Sequence, residues 1–105
     1  MNDLIKVNYE SDRITTSARS LWEFLERPYT KFTMWFNQYK EYGFTENEDY
    51  RAMSVKAYTA QGNEYSYQDY EIKVDMAKEL AMLQKTSKGK MARRYFIELE
   101  KQWNT

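Results

Sequence analysis

The stability of this 105-residue chain must come from non-covalent contacts without disulfide or thiolate-metal staples, because it contains neither cysteine nor histidine. Disulfide staples, thiolate metal sites and imidazole chemistry are removed together. A chain of this length forms one compact domain and buries roughly 60–70% of its unfolded surface, so a single core has to suffice. The material for that core is aromatic: 10 tyrosines, 5 phenylalanines and 3 tryptophans. Tyrosine fills interiors, and it is also a residue that interfaces favour, since it gives wide contact at low rotamer cost. Most of the rings are expected in the core, and the remainder are available to a partner.

The same absences exclude several activities. Zinc hydrolases, cysteine nucleophiles and Ser-His-Asp triads all need residues this chain lacks. There are three glycines, and Gly89-Lys90 has neither the strand nor the first glycine of a phosphate loop. The carboxylates are scattered and form no recognisable catalytic pair. A non-enzymatic protein without cofactor or metal is the expectation. The 16 basic and 16 acidic residues cancel, so any contact with nucleic acid must rest on a local patch. Met1 to Glu10 is polar, and the apolar runs are far too short to span a bilayer.

Hydrophobic spacing predicts a single α+β domain over residues 1–105: small N-terminal strands, two aromatic-rich helices, a β-hairpin and a C-terminal helix pair. Leu4–Tyr9 reads as a strand, Glu10-Ser11-Asp12 as a turn and Arg13–Thr15 as its return. Thr16 or Ser17 supplies a helix cap. Ala18, Leu21, Trp22 and Leu25 then line one helical face, up to the stop at Pro28. Phe32, Trp35, Phe36 and Tyr39 repeat the spacing in a helix starting near Thr30, with Gly43 as a left-handed end. Tyr50–Tyr58 alternates, Gln61-Gly62-Asn63 turns and Tyr65–Val74 returns as the hairpin. Asp75 is placed to cap a helix from Met76 to about Gln84, and Thr86 or Ser87 to cap another. On that last helix Ala92, Tyr95, Phe96, Leu99 and Trp103 share a face.

Two charged groups compete with solvation as explanations of themselves. Lys85, Lys88, Lys90, Arg93 and Arg94 crowd one helix start, where the helix dipole disfavours them by a few tenths of a kcal/mol each. Two helices joined by a short turn, with a hairpin alongside, are loosely similar to a winged helix-turn-helix, so Lys88, Lys90, Arg93 and Arg94 are candidate DNA contacts. Glu46, Glu48 and Asp49 form an acidic loop. It is either a solvated turn or a dock for the basic face of a DNA-binding protein.

The segment Asp75–Met82, followed by Lys88-Gly89-Lys90 and Arg93–Glu98, closely resembles the end of the AntA/AntB antirepressor domain. Arg13–Arg19, Leu21, Phe24-Leu25, Trp35-Phe36, Tyr42–Phe44 and Asn47–Tyr50 follow the same family's order, so the resemblance spans nearly the whole chain. It departs from the family at Trp22, where a histidine is frequent, so no imidazole role carries over. It departs again over Lys56–Gln68, where partner choice can vary. The resemblance implies a bacteriophage regulator in the cytoplasm of its bacterial host, one that relieves repression by acting on a phage or mobile-element repressor. Related Bro-N and KilA-N domains are associated with DNA binding, which keeps direct DNA contact as the alternative. The candidate repressor-binding residues are Tyr58, Tyr65 and Tyr67 with Glu46, Glu48 and Asp49. Phe96, Leu99 and Trp103 are candidates for pairing with a second copy.

Overall fold

The computed structural model describes residues 5–10 and 13–103. Its elements, in chain order, are β1 (Val7–Glu10), β2 (Arg13–Ser17), α1 (Ala18–Phe24), α2 (Phe32–Tyr39), β3 (Tyr50–Tyr58), β4 (Glu64–Lys73), α3 (Val74–Leu83) and α4 (Ser87–Trp103). All four strands pair antiparallel in the order β1-β2-β4-β3. The α+β class therefore stands, with one addition. The two hairpins expected separately are fused into one sheet by pairing of Thr15, Thr16 and Ser17 with Lys73, Ile72 and Glu71.

Residues opposite one another in such a sheet share a face, and the side chains alternate. The register puts Ile14, Thr16, Tyr50, Tyr70 and Ile72 on one side. The helices cover that side. Phe36 of α2 stacks on Tyr70 with ring centroids 4.1 Å apart and meets Tyr50 edge-on at 5.4 Å. Leu21, Phe24, Met76, Leu80, Phe96 and Leu99 complete the core. This is the two-layer solution for a sheet with one apolar face, with helices segregated to that face.

Several boundaries differ from the sequence expectation, each for a local reason. Leu4, Ser11 and Asp12 lie outside the described residues. Ser17 is the α1 cap, its hydroxyl accepting from the Ser20 N–H at 3.0 Å. The helix stops at Phe24 rather than running to Pro28, because Glu26 and Arg27 adopt positive φ. Tyr29 and Thr30 do the same, so α2 begins at Phe32 and not near Thr30. The Trp22 indole N–H donates to the Pro28 carbonyl at 2.9 Å and fastens this loop to α1. Gly43 takes the left-handed conformation expected of it, with φ +87, but it does not end the helix, since α2 stops at Tyr39 with Lys40 as its C-cap.

Asp75 does not cap α3. The strand runs to Lys73, whose N–H donates to the Asp49 carbonyl, and buried Val74 opens the helix instead of ending the strand. Asp75 sits in the first turn, where it pairs with Lys78 at 3.3 Å and complements the helix dipole. Between α3 and α4 the chain reverses over Gln84–Thr86. Thr86 caps α4 by accepting from the Gly89 N–H at 3.0 Å. Gly89 is buried against the backbone of α3, and a Cβ there would be driven into the Ala81 carbonyl oxygen. Lys78 closes the far end of the pair through Glu100 at 2.6 Å. Replacing Gly89 by alanine should destabilise the fold by about 1–3 kcal/mol, since overpacking outweighs the helix-propensity gain of at most about 1 kcal/mol. Denaturant unfolding checks this, and an equal or raised midpoint would contradict the close helix approach.

Candidate interaction surface

Beyond the reach of α2, the β3–β4 hairpin projects past the core, and its two faces are chemically different. On the helix side lie Ser54, Lys56, Ser66, Gln68 and Glu64, with Tyr58 at the tip. On the other side lie Met53, Val55, Ala57, Tyr65 and Tyr67. The apolar set thus faces away from the core. Met53, Val55 and Ala57 are half-buried, and Tyr65 and Tyr67 are exposed. Alternation in the sequence marks the two faces but does not say which one meets the helices.

The same register separates the three candidate tyrosines. Tyr65 and Tyr67 share the open face, with rings 6.5 Å apart. Tyr58 pairs with Glu64 and points to the opposite side. The acidic loop is also remote from the tip. Glu46, Glu48 and Asp49 adjoin the Tyr50 end of β3, roughly 25 Å from Tyr58 at ~3.3 Å per residue. Asp49 is engaged in shaping its own turn: its carboxylate accepts from the Thr45 N–H at 2.8 Å and its carbonyl from Lys73. Glu46 and Glu48 are exposed. The six candidate residues therefore occupy three places and not one.

Arg19 and Asp69, which the sequence did not single out, tie the open face to the core. Asp69 is 4% exposed, the most buried charged side chain among the described residues. Its carboxylate accepts from the Ser17 hydroxyl at 2.5 Å, the Arg19 N–H at 3.0 Å and the Tyr70 N–H at 2.7 Å. Arg19 lies across the edge of β4. Its Nε donates to the Gln68 carbonyl at 2.6 Å, and its guanidinium sits 4.4 Å from the Phe32 ring centre and 5.1 Å from that of Tyr67. Both ring contacts are favourable cation–π placements. An open groove of about 500 Å³ runs between this arginine and the tyrosines, lined also by Lys6, Ser17 and Glu23. It offers an aromatic wall, a fixed cation and hydroxyls, which suits a polypeptide surface better than a small ligand. Among the described residues no three acidic side chains are grouped to hold a metal ion.

The basic cluster is also divided. Lys88 is half-buried, with its ammonium 4.8 Å from the Phe24 ring centre. Lys90, Arg93 and Arg94 are exposed on the outer side of α4, and no acid pairs with them among the described residues. Phe96 and Leu99 are withdrawn as candidates for pairing between copies. They are 0% and 9% exposed, committed to the intramolecular core, while Trp103 stacks on Tyr9 at 5.2 Å.

No described helix is long and apolar enough to cross a membrane. A family model for the AntA/AntB antirepressor matches residues 16–86, the stretch from the end of β2 to the turn before α4. No curated protein and no solved structure matches the chain.

Asp69→Ala should remove three hydrogen bonds to a buried charge and destabilise the protein by about 2–4 kcal/mol. Thermal unfolding measures the loss. A variant as stable as the parent would show that the hairpin needs no such anchor.

Proposed function

Because this chain belongs to the AntA/AntB antirepressor family, we propose that it binds a phage or mobile-element transcriptional repressor through the open face of its hairpin and thereby relieves repression in the host cytoplasm. It is a stoichiometric regulator in this reading, with no catalytic step and no cofactor. One observation carries the choice of surface. Met53, Val55, Ala57, Tyr65 and Tyr67 share the hairpin face turned away from the helices, while Ser54, Lys56, Ser66 and Gln68 share the helix side. An apolar patch held open in this way, with a polar rim of Lys6, Glu23 and Arg51, has the composition of a protein interface. Tyr65 and Tyr67 are its large anchors, the residue type in which binding energy concentrates.

The expected outcome with the cognate repressor bound to operator DNA is release of the DNA as this protein is added. Tyr65→Ala combined with Tyr67→Ala should raise the concentration needed by at least about 30-fold, corresponding to a hot-spot loss of ~2 kcal/mol. Circular dichroism should be unchanged and the melting temperature lowered only slightly, by loss of the Arg19–Tyr67 contact. A repressor–operator complex that survives excess wild-type protein would refute the reading.

A second reading is favoured by the unpaired cations on α4. Lys90, Arg93 and Arg94 lie along the first half of a helix that follows a short turn, an arrangement suited to DNA phosphates. It expects a mobility shift of duplex DNA by the protein alone, weakening steeply with salt. Reversing charge at Arg93 and Arg94 should abolish it, and no shift at low salt would eliminate it.

A further inference from the structure

Residues of an antiparallel ladder alternate between those whose backbone N–H and C=O turn to the neighbouring strand and those whose groups turn away. Two bonds at the ends of the hairpin fix that alternation for β3. The Lys73 N–H donates to the Asp49 carbonyl at 2.9 Å, and the Thr59 N–H to the Asn63 carbonyl at 2.9 Å. Odd-numbered residues of β3 therefore face β4, and Tyr50, Ala52, Ser54, Lys56 and Tyr58 present their backbone groups outward. β3 is the last strand of the sheet, so these groups meet no further strand among the described residues. Tyr50 is partly provided for, since its carbonyl accepts from the Asn47 N–H at 2.6 Å. Among the described residues Ala52, Ser54, Lys56 and Tyr58 keep one donor and one acceptor each.

Natural sheets usually obstruct such an edge with proline, a bulge or charge. The free length of β4 is obstructed here, by Arg19 lying across the Gln68 carbonyl. β3 is not. It has no proline and no bulge in its register with β4. Its two cations are drawn back within the chain, Arg51 to Glu71 at 2.5 Å and Lys56 to Glu64 at 3.5 Å.

We propose that β3 pairs antiparallel with β3 of a second copy of this chain, about a two-fold axis at Val55. In this register Ala52 faces Tyr58 of the second copy and Ser54 faces Lys56. Each facing pair exchanges two hydrogen bonds, so every outward group from Ala52 to Tyr58 is satisfied on both copies. Neighbouring registers do worse. An axis at Ser54 brings in Tyr50, whose carbonyl is already engaged. An axis at Lys56 sets two lysines directly opposite each other, a destabilising pair, and leaves Ala52 opposite the turn. With the axis at Val55 the two valines meet, Met53 faces Ala57, and no like charges are apposed.

The open faces of the two hairpins then join in one eight-stranded sheet, with Tyr65 and Tyr67 on each side of a shared apolar seam. The inference stands on backbone geometry and not on the identity of the repressor.

Sedimentation equilibrium of the intact chain tests it, with an expected mass of twice 12.8 kDa. Ser54→Pro removes an outward N–H without touching the β3–β4 ladder, so it should yield a folded monomer. The natural chain has no cysteine, which makes the register testable as well. Val55→Cys should form an intermolecular disulfide on oxidation, because residues at the axis lie within bridging distance. Met53→Cys should not, since the two sulfurs would be offset by roughly 13 Å along the strands. A mass of 12.8 kDa at all concentrations, a dimer that persists in Ser54→Pro, or equal crosslinking by Met53→Cys would each overturn the proposal.

Discussion

A single carboxylate holds the two halves of this protein in register. Asp69 sits in β4, in the C-terminal half, and binds the hydroxyl and backbone of the residues that begin α1. A charge removed from water is tolerated only when its lone pairs are well used, and three donors converge on this one. The Ser17 hydroxyl that donates to it also accepts from Ser20 to cap α1. Strand pairing, helix start and hairpin position are thus settled by one local network. Arg19 depends on it too, because its backbone is fixed by Asp69 while its side chain reaches Gln68, Phe32 and Tyr67.

From that joint the hairpin extends outward, and its chemistry is opposite to what stability alone would choose. An isolated two-stranded ribbon is marginal in water. This one turns Met53, Val55 and Ala57 to the open side. Tyr65 and Tyr67 partly cover them, and Arg19 stiffens the base. The arrangement keeps apolar area accessible while the backbone is already ordered, which lowers the entropic cost of binding a partner.

Much of the fold was legible in the sequence, because helical and strand periodicities differ. The α1 and α4 faces, the hairpin turn at Gly62, the cap at Ser17 and the left-handed Gly43 follow from spacing and backbone chemistry alone. The limits of α1 and α2 did not, because Glu26, Arg27, Tyr29 and Thr30 take a left-handed backbone that no residue type there announces. Asp75 misled as a cap because the strand ends at Lys73 and buried Val74 opens the helix, which puts Asp75 in its first turn. The surface was harder to read. Tyr58, Tyr65 and Tyr67 look equivalent along the chain, and only the register puts Tyr58 on the other face. Asp69 and Arg19 carried no signal, since their importance arises from contacts some 50 residues apart.

The placement of β2 beside β4 bears on how the chain reaches this structure. Thr15 and Glu71, which meet across that pairing, are 56 residues apart in sequence, whereas the β3–β4 ribbon and the α3–α4 pair close over short turns. Loop-closure entropy grows with the segment enclosed, and distant pairings form late. The C-terminal half can therefore assemble from neighbours, while β1, β2 and α1 must be recruited across the intervening chain. During synthesis the N-terminal third emerges first and must wait for the strand that completes it.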